Sequence, residues 1–360
     1  MIRPVLNYLT PYDAGLFAED LLDYGVKEED VVNLQSNENP YPLPKTVRDA
    51  ITKASASINR YPKPNYQRLK TALSKYTSAP EETIAVGNGA SDLLDGCCKI
   101  FLNPYDAVVL PVPGFSMYFM LAMLRDASLR QILCGPPDFK VTAEKLLSEA
   151  DDATKMFIIP SPNNPTGKAM PKNEVVKLLK ATEAAVVVDE AYAEFHKETL
   201  IPLVPKYNNL IVVRSMSKFF GLAGLRIGYA VAQKDVARSL ESARLPFTLN
   251  NIAQEAAIAT VGERKYFEGV RDKIIKERER LMKNVGQLPG WTAYQSDANF
   301  FLARPPKGKT SEWLLDKLNH KGILIRDVTG IPGLETPHVR ITAGLPKEGD
   351  KLVEALKELS

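Results

Sequence analysis

Lys218 sits in the run Arg214-Ser215-Met216-Ser217-Lys218, directly after the apolar stretch Leu210-Ile211-Val212-Val213, and Arg226 follows in Gly224-Leu225-Arg226-Ile227-Gly228. An amine among hydroxyls, with a guanidinium nearby, suits a phosphorylated aldehyde cofactor. The lysine forms an imine, while Ser215, Ser217 and Arg226 hold the phosphate. Pyridoxal 5'-phosphate is the cofactor of that description. Taken alone the run also fits a solvated loop, so the reading depends on partners elsewhere in the chain.

Such partners are present. Val186-Val187-Val188-Asp189-Glu190-Ala191-Tyr192 is an apolar run ending in an acid, the pattern of a buried parallel strand that delivers a carboxylate at its carboxyl end. Asp189 is expected to pair with a protonated pyridine nitrogen, Tyr192 to donate to the ring's 3-oxygen, and Glu190 to be structural. A helix cap just after the strand is an equal use of Asp189 considered by itself. A second strand end, Met156-Phe157-Ile158-Ile159-Pro160, runs into Ser161-Pro162-Asn163-Asn164-Pro165-Thr166-Gly167. Prolines and glycine stiffen that loop, and Asn164 is expected to offer its amide to a ring oxygen.

In Ile84-Ala85-Val86-Gly87-Asn88-Gly89-Ala90-Ser91-Asp92 a short strand turns through glycine into a helix. Gly89, Ala90 and Ser91 then expose backbone N–H groups and the positive end of a helix dipole to a phosphate. The run is neither G-x-G-x-x-G nor a P-loop, which argues against a nucleotide. Phe115 follows a strand end and Pro113-Gly114, placed to stack on a ring, although core packing is the ordinary fate of a lone Phe.

The elements that must carry these groups are visible as apolar runs at 84–86, 108–110, 156–159, 185–188, 210–213 and 227–232, alternating with helical patterns such as 174–179. That alternation predicts an α/β fold: a mostly parallel sheet sandwiched by helices, with ligands bound beyond the strand ends. From about Tyr266 a charged amphipathic helix bridges to a C-terminal part, with strands expected at 298–303, 323–325 and 339–342 and helices at 311–321 and 348–359. The expected division is an N-terminal arm with part of a small domain (1–45), a large cofactor-binding domain (46–262) and a smaller α+β domain (263–360).

Composition narrows the function classes. A net charge of +3, from 46 Lys and Arg against 43 Asp and Glu, is too slight for a nucleic-acid partner. Cys97, Cys98 and Cys134 do not make a disulfide framework, and His196, His320 and His338 lack ligand spacing, so no metal is expected. No stretch approaches 18 uninterrupted apolar residues and no apolar leader follows Met1, which predicts a cytoplasmic protein without membrane contact.

Taken in chain order, the motifs resemble the fold-type I aminotransferases and, within them, the histidinol-phosphate aminotransferase family. The likeness spans nearly the whole chain. It runs from Leu9-Thr10-Pro11-Tyr12 through Asn37-Glu38-Asn39-Pro40, Arg60-Tyr61-Pro62, Gly87-Asn88-Gly89, Pro113-Gly114-Phe115-Ser116-Met117-Tyr118 and Asn163-Asn164-Pro165-Thr166-Gly167. It continues through Asp189-Glu190-Ala191-Tyr192, Ser215-Met216-Ser217-Lys218 and Gly224-Leu225-Arg226 to Arg340-Ile341-Thr342.

The resemblance implies that Lys218 carries the cofactor and moves the proton at the substrate's Cα, with Asp189, Asn164, Tyr192 and Phe115 around the ring. Gly89, Ala90, Ser91, Ser215, Ser217 and Arg226 would hold the phosphate. Tyr61 would reach the partner subunit's cofactor in a homodimer with shared sites. Tyr12, Asn39, Arg326 and Arg340 would bind the substrates, L-histidinol phosphate and 2-oxoglutarate, in histidine biosynthesis. Two departures stand out: Ser91 precedes Asp92 where many relatives place an acid directly after the cradle, and an extra Ile331-Pro332-Gly333-Leu334 is similar to threonine-phosphate decarboxylases. A carbon dioxide-releasing lyase is therefore the main alternative. An aromatic amino acid aminotransferase and a catalytically silent cofactor-binding regulator are the others.

Overall fold

Stiff β-branched runs build the centre of the computed structural model, which describes residues 1–359. In chain order the strands are β1 (Val32–Asn33), β2 (Ile84–Gly87), β3 (Ala107–Val112), β4 (Ser128–Leu133), β5 (Thr154–Pro160), β6 (Ala185–Asp189), β7 (Leu210–Ser215) and β8 (Gly228–Val231). They are followed by β9 (Thr292–Ala293), β10 (Phe300–Arg304), β11 (Ile323–Leu324), β12 (Arg326–Asp327) and β13 (Val339–Thr342). Seven form one sheet in the order β2-β8-β7-β6-β5-β3-β4, in which β8 runs antiparallel to β2 and β7 while β3 to β7 are parallel.

Both faces of this sheet are covered, which is why its inner strands read as unbroken apolar runs rather than alternating ones. Val186 and Val188 enter one core with Leu178 and Phe195, whereas Val187 points to the other with Leu94 and Cys97. Each fully buried valine contributes about 1.5–3 kcal/mol. β4 escaped the sequence reading: it is the edge strand, and in Ser-Leu-Arg-Gln-Ile-Leu only Ile132 is buried.

The register brings the functional loops to one edge. Pro160 pairs with Asp189, Asp189 with Val213, and Ser215 with Gly228, so the ends of β5, β6 and β7 meet the start of β8.

The C-terminal part forms a four-stranded antiparallel sheet, β12-β13-β10-β9. Instead of one strand over 323–325, the chain changes sheets at Ile325: β11 pairs in parallel with β1 from the N-terminal segment, and β12 pairs with β13. The helix Arg264–Gly286 ties the two sheets together. Phe267, Val270 and Ile274 pack under the large sheet, and Leu281, Met282 and Val285 under the small one. Among the described residues no helix is long and apolar enough to cross a membrane.

Candidate active site

Beyond the strand ends lies a cavity of about 240 Å³ lined by Lys218, Asp189, Tyr192, Asn164, Phe115 and Arg226 among others. Lys218, on the loop after β7, donates from Nζ to the Ser36 carbonyl at 2.8 Å. Burial, and secondarily the charge of Arg340, lowers its pKa to about 8, so about a tenth of the amine is free at pH 7, far more than for an ordinary lysine.

Asp189 closes β6 at 7% exposure. Its carboxylate accepts from the Tyr118 hydroxyl at 2.9 Å and from the Ala191 N–H at 3.0 Å. Burial raises its pKa to about 6 against the opposing pull of those two bonds. The local turn it makes is not a helix cap, since Tyr192 stands at the N-cap of the short helix Ala193–His196. A buried carboxylate pushed towards its neutral form beside a cavity is relieved by a cation there, which a protonated ring nitrogen would be.

The adjacent acid has a different fate. Glu190 is buried in a network with Arg214 at 2.8 Å, the Thr199 hydroxyl and the Leu200 N–H, and Arg214 also pairs with Glu194. It braces the loop and does not line the cavity.

Asn164 accepts from Arg340 Nη1 at 2.7 Å through Oδ1, which leaves its NH₂ for the cavity. Neighbouring Asn163 secures the loop instead, donating to the Pro113 carbonyl at 2.8 Å and Thr166 Oγ1 at 3.1 Å. The Phe115 ring sits edge-on to Tyr12 and Tyr118, with centroids 6.0 and 5.7 Å away.

At the anion end, Ala90 and Ser91 head the helix Ala90–Phe101 and line the cavity with Ser215, Ser217 and Arg226. Gly89 caps that helix at φ +85°, and a Cβ there would stand 2.7 Å from Arg226 Nη2. Gly228 presses even closer: a Cβ would come within 2.5–2.9 Å of the Gly89 and Ala90 backbone. Arg226 Nη1 reaches Ser217 Oγ at 3.4 Å.

A second cavity of about 400 Å³ shares Tyr12, Phe115, Asn164, Arg326 and Arg340 with the first. Arg326 and Arg340 are direct cross-strand partners on β12 and β13. Arg340 is buried and bonded to the Gln35 carbonyl, while its Nε has no partner. Arg326 is held by the backbone carbonyl and, at 3.5 Å, the carboxylate of Asp13.

Three residues expected at the site lie outside both cavities: Gly89, which stands behind Ala90 and Ser91 as the helix cap, Asn39 and Tyr61. Asn39 donates to the Phe219 carbonyl at 2.9 Å and accepts from the Tyr41 N–H, so it secures a loop. Tyr61 is 81% exposed and stacks on Phe247 at 4.4 Å. The motif's other asparagine, Asn37, lines the cavity and bonds Tyr192. Tyr118 was also missed as a partner of Asp189. For Asn37 the signal was a second amide in Asn37-Glu38-Asn39, and for Tyr118 it was a phenol three residues past Phe115.

A buried lysine and a buried acid lining one cavity, at the strand ends of a seven-stranded, mostly parallel sheet with a small second sheet, match the architecture of a fold-type I transferase. The profile of the aminotransferase class I and II family matches residues 29–356. The chain belongs to that family, on its histidinol-phosphate aminotransferase branch. It is 43% identical over 359 residues to histidinol-phosphate aminotransferase 2 of Archaeoglobus fulgidus, covering 99% of this chain and 100% of the relative. The histidinol-phosphate aminotransferase of Sinorhizobium meliloti, solved in complex with pyridoxal-5'-phosphate, superposes with a TM-score of 0.87 at 26% identity, covering 99% of this chain and 97% of that one. L-threonine-O-3-phosphate decarboxylase of Porphyromonas gingivalis superposes at 0.80 with 24% identity, over 91% of this chain and 99% of that one, a likeness of fold alone.

Proposed function

We propose that this chain is a pyridoxal-phosphate-dependent aminotransferase that moves the amino group of L-histidinol phosphate to 2-oxoglutarate. The observation that carries the reading is one cavity joining a low-pKa amine, a buried acid and a serine–arginine anion end to a second cavity with paired arginines. The donor set fits the cofactor. Ser91, Ser215, Ser217 and Arg226 would hold its phosphate, Asp189 its ring nitrogen, Asn164 and Tyr192 its ring oxygen, and Phe115 one face.

When bound, the cofactor supplies an aldehyde for the amine and an electron-withdrawing ring for charge developing at the substrate's Cα. Lys218 Nζ would serve as the base that moves the proton at the substrate's Cα. Asp189 would hold the ring nitrogen in its protonated form. Arg340 and Arg326 bind the substrate's anion, a phosphate in one half-reaction and a carboxylate in the other, a task suited to planar guanidinium groups.

We further propose a cytoplasmic homodimer in which Tyr61 completes the partner subunit's phosphate site. The exposed apolar side chains Ile58, Tyr61, Leu245 and Phe247 support such an interface. The proposed units remain an arm and small-domain segment at 1–45, a large domain at 46–262 and a small domain at 263–360.

The test is to load the protein with cofactor and supply histidinol phosphate plus 2-oxoglutarate, threonine phosphate alone, and aromatic amino acids plus 2-oxoglutarate, measuring glutamate and carbon dioxide. Glutamate from histidinol phosphate without gas is expected. Gas from threonine phosphate without glutamate would replace the aminotransferase by a lyase.

A further inference from the structure

The Tyr192 hydroxyl has one proton, and Asn37 is the side chain bonded to its oxygen. Asn37 is buried and takes φ +53°, a left-handed backbone that Asn tolerates better than most residues. Its N–H donates to Thr342 Oγ1 at 3.0 Å, and its carbonyl accepts from Asn299 Nδ2 at 3.0 Å. Having accepted the Asn37 N–H, the Thr342 hydroxyl has its own proton left, and Asn37 Oδ1 lies 3.2 Å away to receive it. That bond fixes which end of the Asn37 amide is oxygen. Nδ2 therefore faces Tyr192 and donates to its hydroxyl oxygen at 3.0 Å. A phenol that accepts from one side keeps its proton for the other, and both side chains line the cavity.

We infer that Asn37 is a positioning residue: held by Thr342 at the end of β13 and by Asn299 just before β10, it sets the donor direction of the Tyr192 hydroxyl towards the ring oxygen of the bound cofactor. This rests on the proposed cofactor role of the cavity. It also explains the residue type, because the position needs a left-handed backbone and an amide donor together. An aspartate accepts that backbone and keeps the shape but replaces the donor by an acceptor. The phenol would then donate to the carboxylate and turn its proton from the cavity.

The consequence is measurable in the visible band that arises when Lys218 joins the cofactor. A hydrogen bond to the ring oxygen favours the state in which that oxygen is most negative, with the Lys218 nitrogen unprotonated. Losing the bond therefore raises the pH midpoint of the band. Arg340, Asp189 and Tyr12, the charged and titratable groups acting on the phenol, are unchanged in every variant.

The experiment titrates the full-length loaded protein and its variants Asn37→Asp, Asn37→Gly and Tyr192→Phe, with cofactor affinity and thermal unfolding followed in parallel. Asn37→Asp and Tyr192→Phe are expected to raise the midpoint by about one pH unit, tenfold in proton affinity, and Asn37→Gly by about half a unit. Adding Asn37→Asp to Tyr192→Phe should move it no further. An equal shift in the Tyr192→Phe background would mean simple charge repulsion and overturn the inference. So would lowered thermal stability with an unmoved midpoint in both Asn37 variants. If Tyr192→Phe shifts the band while neither Asn37 variant does, the inference falls and the cofactor reading stands; if the wild-type protein forms no visible band, that reading itself fails and takes the inference with it.

Discussion

The two walls of the site are built differently. On the sheet side, Asp189, Tyr192, Ser215 and Ser217 are all buried, and Asp189 and Tyr192 are fixed by bonds to Tyr118, Ala191 and Asn37. On the other side the arm presents Tyr8 at 78% and Tyr12 at 55% exposure, with Arg3 anchored to Asp126 and the Leu124 carbonyl and Asp13 to Arg326. The contrast separates two needs. Groups that meet the reacting atoms must be held to fractions of an ångström, which strand ends in a packed sheet do well. A wall that admits two substrates of different shape must yield, which a surface arm with few buried contacts does cheaply.

Replacing Asp189 by Asn tests the rigid wall most severely. Asn keeps an acceptor for the Ala191 N–H, and the Tyr118 hydroxyl rotates to accept the new NH₂, so the fold should survive with little change in Tm. What is lost is the charge proposed to hold the ring nitrogen protonated. Removing one partner of a buried charged pair costs about 3–5 kcal/mol, so kcat should fall about 10²- to 10⁴-fold. Single-turnover rates with histidinol phosphate check this; a fall below tenfold would mean that catalysis is not concentrated at the strand ends.

A smaller effect concerns Lys218 before cofactor arrives. Its pKa of about 8 lies below the usual lysine value, so the free amine grows about tenfold between pH 7 and pH 9 and then levels off. Capture of pyridoxal phosphate by the cofactor-free protein, followed by stopped-flow absorbance, should trace that curve. The linked stability has a definite sign. Between about pH 8 and the ordinary lysine pKa the unfolded chain binds the extra proton, so the cofactor-free protein gains stability as pH rises through that window. A capture curve still climbing at pH 10 would place the amine in water and blur the difference between the two walls.

The rigid wall is also the part that could be read from residues. β6 and β7 are buried on both faces, so their sequences are continuous apolar runs, and Asp189 and Lys218 follow directly from where those runs end. Exposed β4 keeps Arg130 and Gln131 and has no such signature. Motif spacing could not distinguish Asn37 from Asn39, because the choice depends on the left-handed turn at Asn37. The Tyr118 bond to Asp189 spans 71 residues and exists only once β3 and β6 share a sheet. In each case the missing information was direction, which packing supplies and composition does not.

The yielding wall can be probed at its anchor. Arg3 and Asp126 are both half exposed, and such a pair contributes about 0–1 kcal/mol. Arg3→Ala should therefore loosen the arm without moving any group on the strand ends. KM for histidinol phosphate should rise about two- to fivefold while kcat stays within twofold, because the arm lines the outer cavity and carries none of the strand-end groups. Added salt should raise the wild-type KM towards that of the variant, since an exposed pair is screened, and should change the variant itself less. If kcat fell as much as kcat/KM instead, the arm would be setting the geometry of the catalytic groups, and the two walls would be one mechanical unit.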